Sequence, residues 1–537
     1  MKNNIEDKLK KVVKKTLGIN TTINHSNCSE ANFSGALSLF VKENKDIKNE
    51  KNLLPKRKDG SDFGTPIKEM EPNFNFFNVG VYEYGDDSVK EISEYDGLHS
   101  GTPMHTKPFP PCIKRIKSTL NLNNLYWYPS CVGNINARQD IVNYLVREGF
   151  KLEKQTGYDG LGIENIVFTC STTHAYSLIL KTIAHNEDVI LLTGPNYGIF
   201  AIIPELTSAH VEILDLEEED DFYVNPSKLS KKIDEINKDL IKKYKGKLDY
   251  QPRVVAFLNI NPHNPLGKVM NKKNRNILES IGEVCLEKNV FVIDDLIYRD
   301  LTFDTDNLAL PLATMPRYFN NTISLFGLSK AYGLASIRAA FVVAPYPIVR
   351  ALANEIAHSM DSIPVLQVEA VAAGFNGKDS RYKALNSYIK PIIKEYQYRY
   401  NLLKALVEGI DKIKDEETKS KIYDDVFDFT ASKEKTAVLL KGINGVTIRK
   451  KTEPDSGFFA VLDFTSLKGK KNDNLVINSD RDLLAYLYKK GKIRFIMGSN
   501  MCWPLKDEII ARVTFSLDKK ALINNMAIIN KSIGELK

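Results

Sequence analysis

The sequence predicts an α/β protein whose larger part is a mostly parallel sheet flanked by helices, with a smaller α+β part after it. Three observations carry this prediction. From residue 128 to about 355, short apolar runs such as Val189-Ile190-Leu191-Leu192 and Val254-Val255-Ala256-Phe257-Leu258 alternate with helical stretches, the pattern of parallel strands joined by crossover helices. Several of these runs end in polar, chemistry-bearing residues, and ligands of such sheets bind beyond the carboxyl ends of the strands. A chain of 537 residues, 43% hydrophobic, can bury a large core and should form two or more domains.

Taken in order, Met1 to Gly18 is basic and amphipathic, with Ile5, Leu9, Val12, Val13 and Leu17 at helical spacing. It lacks the continuous apolar stretch of a signal peptide; of the two remaining readings, a helix on a membrane surface and a helix docked on its own protein, the second is favoured. Residues 1–72 form an N-terminal extension, and 42–60, rich in lysine and asparagine, should be mobile. A strand, a small-residue turn and a helix start are expected over Ile166-Val167-Phe168-Thr169-Cys170-Ser171-Thr172-Thr173-His174-Ala175. Hydroxyls and N–H groups at such a helix start make a phosphate site, so Thr172 and Thr173 are candidates beside the plainer role of helix capping.

Three further strand ends carry chemistry. After Val254–Leu258 comes Asn259-Ile260-Asn261-Pro262-His263-Asn264-Pro265-Leu266-Gly267, a tight turn able to aim an Asn amide into a crevice. Val290–Ile293 ends in Asp294-Asp295, with Tyr298 three residues past Asp295. A carboxylate there is costly unless it faces a cation. Ser324-Leu325-Phe326-Gly327-Leu328 ends in Ser329-Lys330, with Arg338 eight residues on. Burial should depress the lysine pKa and make it a nucleophile toward aldehydes, while Ser329 and Arg338 could grip a phosphate. Ser-Lys alone would read as a surface lysine after a strand, and the upstream motifs reverse that reading.

This ordered set resembles the class I/II aminotransferases, pyridoxal-phosphate enzymes of fold type I, from about residue 73 to the C-terminus. The resemblance implies a large domain over 128–355 with a mostly parallel seven-stranded sheet. It also implies an arm and first part of the small domain over 73–127, and a C-terminal small domain over 356–537. A charged stretch near 411–436 reads as an exposed insertion in that last domain. The resemblance further implies that Lys330 carries pyridoxal 5'-phosphate as an internal aldimine and later shuttles the proton, and that Asp295 pairs with the pyridine nitrogen. Asn264 and Tyr298 would bond the ring oxygen, Asn264 also bordering the substrate, and Tyr197, in Gly194-Pro195-Asn196-Tyr197, would stack on the ring. Thr172, Thr173, Ser329 and Arg338 would hold the phosphate. Tyr128, in Tyr128-Pro129-Ser130, would reach the phosphate of a partner subunit, which implies a homodimer with shared sites. Arg512, in Ile510-Ala511-Arg512-Val513-Thr514, would clamp the substrate carboxylate. The implied activity moves an amino group between an L-amino acid and a 2-oxo acid. Fold type I also hosts lyases, oxidases and decarboxylases, an aspartate 4-decarboxylase-like enzyme being the specific rival, whereas a non-enzymatic regulator fits the intact Lys330, Asp295 and Arg512 poorly.

The chain departs from the family pattern at four places: Gly327 stands where a serine is common, Ser336 for the second glycine before the arginine, Leu266 for threonine and Ser171 for glycine. Composition narrows the classes further. The net charge of +7 comes from 74 basic and 67 acidic residues, which gives no ground for a nucleic-acid partner. No apolar run approaches the roughly 20 residues of a membrane span. Six cysteines without CxxC spacing and eight scattered histidines offer no metal framework and suggest a reducing, cytoplasmic setting.

Overall fold

The computed structural model describes residues 97–537 apart from 104–106, 122–124, 156–157, 208 and 474. The amphipathic start, the lysine-rich stretch 42–60 and the arm up to residue 96 therefore lie outside the described residues.

The strands of the main sheet are β1 (Ile166–Thr169), β2 (Val189–Gly194), β3 (His210–Asp215), β4 (Val254–Ile260), β5 (Phe291–Asp295), β6 (Thr322–Gly327) and β7 (Ala340–Val343). They lie in the order β1-β7-β6-β5-β4-β2-β3, and β7 runs antiparallel to both β1 and β6 while the other pairs are parallel. Strands β1, β2, β4, β6 and β7 are buried at every position, which is why they read as continuous apolar runs and not as alternating ones. Two of the flanking helices start on asparagine caps: Asn134 accepts the Ala137 N–H at 2.8 Å, and Asn225 accepts those of Ser227 and Lys228 ahead of Pro226–Tyr244. The latter helix buries Leu229, Ile233, Ile236, Leu240 and Tyr244, a stripe at helical spacing that lies against the sheet.

A second, antiparallel sheet has the order β12-β13-β9-β8. It is built from β8 (Thr447–Ile448), β9 (Phe459–Asp463), β12 (Ile496–Met497) and β13 (Ile510–Thr514), and β10 (Lys471–Asn472) and β11 (Leu475–Val476) form a hairpin beside it. Long helices Asp379–Glu408 and Lys519–Gly534 cover this part. The charged stretch expected as an exposed insertion forms two helices, Glu416–Thr430 and Lys433–Leu440. It is not exposed throughout: Ile422 and Val426 are fully buried and Lys519 holds Asp425 at 2.7 Å. Charge dominates its sequence because only one side of each helix is covered.

The two parts meet through the early segment Leu98–Thr102. The Leu98 carbonyl accepts the Thr514 N–H at 2.8 Å, and the Thr102 carbonyl accepts the Ser516 hydroxyl at 2.9 Å. No helix among the described residues is long and apolar enough to cross a membrane.

Candidate active site

Parallel register brings the chemistry-bearing strand ends to one edge. Ile260 pairs with Asp295, and Asp295 with Leu325, so the turn carrying Asn264, the carboxylate of Asp295 and the loop carrying Lys330 all leave the sheet side by side.

Asp294 and Asp295 point to opposite faces, as consecutive strand residues must. Asp294 is fully buried and spoken for: it accepts the Asn259 amide at 2.8 Å and the Leu312 N–H at 2.9 Å. Burial still lifts its pKa to about 6, against the pull of those two bonds. Asp295 accepts a single backbone N–H, from Ile297 at 3.1 Å. Burial, helped by the neighbouring Asp294, lifts its pKa to about 7, while Lys330 opposes the shift. A carboxyl so poorly neutralised is suited to a cationic partner such as a protonated pyridine nitrogen.

Lys330 donates from Nζ to the Gly101 carbonyl at 2.6 Å, and its ammonium lies 5.8 Å from the Tyr298 ring centre. Its pKa is pushed down to about 8, chiefly by desolvation and then by the charges of Arg512 and Arg338, with Asp295 opposing. That is the condition of an amine usable as nucleophile or base near neutral pH. Arg512 is buried, and its partners are neutral oxygens: Asn264 Oδ1 at 3.4 Å and the His99 carbonyl at 2.9 Å. Its Nε has no partner, the Phe459 ring lies 4.1 Å beneath the guanidinium, and burial lowers its pKa to about 10. A buried guanidinium with no carboxylate beside it among the described residues fits an anionic ligand group.

Tyr298 is buried edge-on to Phe458 and Phe459, with ring centres 5.8 and 6.0 Å away. Tyr197 lies half-buried against Phe200, and burial raises its hydroxyl pKa, with the charges of Arg512 and Arg338 opposing. Thr172 and Thr173 open the helix Thr172–Ile183. Its cap is reciprocal: Ser171 Oγ accepts the His174 N–H at 3.0 Å, and His174 Nδ1 accepts the Cys170 N–H at 3.2 Å. Gly327 brings the end of β6 against this helix, since a Cβ there would lie 3.3 Å from Thr172 Cγ2 and 2.8 Å from Ile297 Cδ1. The serine common at that position in the resembling family would collide with Ile297. Ser329 is buried beside Lys330, and Arg338 is exposed in a left-handed conformation (φ +57), donating to the Ala335 carbonyl at 2.8 Å. Tyr128 is not drawn into the site by its own chain; it is 87% exposed, next to the exposed Tyr126 and Trp127.

Sequence reasoning missed Gly101, whose carbonyl meets Lys330, and Phe459, which floors Arg512. The turn Gly101-Thr102-Pro103 was a signal for the first; nothing in the sequence singles out the second.

A family model described as aminotransferase class I and II matches residues 97–420. Among curated relatives, the histidinol-phosphate aminotransferase of Pseudoalteromonas atlantica is 28% identical over 227 residues, 42% of this chain and 53% of the relative. The aspartate aminotransferase of Pyrococcus abyssi is 24% identical over 302 residues, 56% of this chain and 67% of the relative. The chain thus spans about half to two thirds of the length of the curated relatives it matches. Among solved structures, the Rhizobium meliloti aspartate aminotransferase superposes with a TM-score of 0.62 at 17% identity, covering 82% of this chain and 91% of that one. A double mutant of the Thermus thermophilus aspartate aminotransferase gives 0.61 at 15% identity, covering 85% and 95%. These two likenesses show the fold.

Proposed function

The chain belongs to the class I and II aminotransferases, and on that footing we propose that it transfers an amino group between an L-amino acid and a 2-oxo acid, with pyridoxal 5'-phosphate held on Lys330. One observation carries the reading: a lysine with a depressed pKa, a buried and poorly neutralised aspartate and a buried arginine without a carboxylate partner converge at one edge of the sheet.

The residues fit the cofactor. Bound pyridoxal phosphate supplies an electron sink for negative charge developing at the substrate α-carbon. Asp295 would keep the ring nitrogen protonated, Asn264 and Tyr298 would orient the ring through its oxygen, and Tyr197 would cover its face. Thr172 and Thr173 at a helix start, with Ser329 and Arg338, would take the phosphate. Arg512 would bind the substrate carboxylate through its fork, directing the α-hydrogen at the freed Lys330 amine. Lys330 would then carry that proton from the α-carbon to the cofactor carbon, as its lowered pKa allows.

The same reading makes the protein a homodimer, in which the exposed Tyr126-Trp127-Tyr128 segment crosses to its partner and Tyr128 completes the partner's phosphate site. The cytoplasmic setting expected from the cysteine spacing loses that ground, because Cys502 is disulfide-bonded. The test is an amino-acid panel incubated with protein and pyridoxal phosphate, with and without 2-oxo acids. Amine transfer that requires the acceptor supports the proposal; carbon dioxide or ammonia released without an acceptor rejects it in favour of lyase or decarboxylase chemistry.

A further inference from the structure

Behind the site lies a buried polar cluster that the proposed chemistry does not use. Tyr332, two residues past Lys330, donates its hydroxyl proton to Asp300 Oδ2 at 2.7 Å and accepts from Arg381 Nη2. Asp300 sits two residues past Tyr298, in the turn Arg299–Leu301. Arg299 donates to Glu148, to the Tyr144 hydroxyl at 3.1 Å and to the Ala309 carbonyl at 2.9 Å. Arg381, on the helix Asp379–Glu408, donates from Nε to the Gly374 carbonyl at 2.7 Å. Glu148 also accepts the Tyr382 hydroxyl at 2.7 Å. Two guanidinium and two carboxylate groups thus share one buried region, and Tyr332 links the arginine of the long helix to the carboxylate of the turn.

We propose that Tyr332 is a positioning residue for Lys330: through Asp300 and Arg381 it clamps the Lys330 loop to the turn that carries Tyr298, and so fixes where the amine stands. The polarity of the link permits only one arrangement. Asp300 can only accept and Arg381 can only donate, so the phenol is held between them in a defined orientation. Sliding either loop would break a buried hydrogen bond to a charged group, leaving Asp300 only the Arg299 guanidinium at 3.7 Å and Arg381 only the Gly374 carbonyl among the described residues, which costs more than losing apolar contact. The backbone reinforces the same point, since the Tyr332 carbonyl accepts the Phe109 N–H at 2.9 Å, and the Tyr332 ring packs tilted against Phe375 at 4.9 Å and edge-on to Phe109 at 5.5 Å. The inference rests on the aminotransferase reading for the importance of Lys330, though not for its test.

The test follows Lys330 itself. Full-length protein cleared of pyridoxal phosphate is reductively methylated across a pH series, and modification of the Lys330 peptide is read by mass spectrometry. Transfer kinetics are measured on the reloaded enzyme. Tyr332→Phe keeps the ring and removes the link; Asp300→Asn keeps the shape and removes the charge, and serves if the first variant folds poorly. Tyr144→Phe, which leaves the Tyr332 link intact and deletes the buried hydroxyl to which Arg299 donates in the same cluster, is the control for general loosening. The pH midpoint of Lys330 should rise by roughly one unit in either link variant, as the amine regains water. Transfer kcat should fall roughly tenfold with little change in KM, and Tyr144→Phe should lose thermal stability without moving Lys330. An unshifted Lys330 midpoint in both link variants, or an equal shift in Tyr144→Phe, would overturn the positioning role. Absence of amine transfer in the parent protein would instead reject the activity and leave the labelling result to judge the clamp.

Discussion

The ammonium of Lys330 and the carbonyl of Gly101 are bonded at 2.6 Å although 229 residues separate them. The contact keeps the amine from water on the side where the early segment crosses, and desolvation is the largest cause of its lowered pKa. Borohydride treatment of the cofactor-loaded protein should therefore fix pyridoxal phosphate to Lys330. Lys330→Ala should lose both the yellow colour and the adduct. Lys330→Arg should fail as well, because a guanidinium stays protonated. An adduct mapped to another lysine would remove the centre of the proposed site.

The two arginines should separate cleanly. Arg338→Ala should weaken cofactor retention, measured by dialysis against buffer, through loss of a charge-assisted phosphate contact. Arg512→Ala should retain cofactor and raise the KM for the amino acid by roughly two to three orders of magnitude, the loss of a buried charge-assisted pair. Equal cofactor loss in both variants would refute the division.

Asp295 should trade stability for function. Its folded-state pKa, about 7, lies above the ordinary 3.8, so its favourable contribution holds below about pH 4 and is lost as pH rises toward 7. In cofactor-free protein, Asp295→Asn should raise stability at pH 8 by roughly 1–4 kcal/mol, and the gain should fade toward pH 4, as read by urea unfolding. Transfer should fall by several orders of magnitude. Asp294→Asn should be milder in activity, since Asp294 already serves Asn259 and Leu312. The reverse ranking would place the functional carboxylate one residue earlier.

Gly327 gives a packing prediction. Gly327→Ala should cost about 1–3 kcal/mol, because its Cβ would lie 2.8 Å from Ile297 Cδ1. Ile297→Val removes that methyl, so the double variant should recover most of the loss in a thermal melt. Additive losses would show that the crowding lies elsewhere.

Shared sites make a mixing prediction. Tyr128→Ala and Lys330→Ala should each be poorly active alone. Co-refolded, they form hybrids in which one site draws Lys330 from one subunit and Tyr128 from the other, and activity should partly return. A mixture no more active than its parts would sink the shared-site dimer.

The sheet was legible because strands buried on both faces must be apolar throughout, and the strand-end motifs were legible because Asn-Pro turns and terminal carboxylates are expensive without a purpose. Less legible was anything set by distant pairing. Phe459 under Arg512 looks like any strand aromatic, and Asp300, Arg299 and Arg381 look like surface charge until the fold buries them together. The 411–436 stretch misled because its few inward residues, Ile422 and Val426, are outnumbered by the charges on the open side.

The segment Leu98–Thr102 bonds to β13 and its continuation, 413 residues away at the contact between His99 and Arg512. A ribosome must therefore deliver nearly the whole polypeptide before the two walls of the site can meet. Until then the main sheet could gather its strands with the Lys330 amine still bathed in water, at the ordinary basicity of a lysine and protonated at neutral pH. The charge of Arg512, on the last strand to arrive, adds to the desolvation that lowers the Lys330 pKa, so a chain broken off before β13 would carry the lysine yet lack part of the surroundings that make it a reagent.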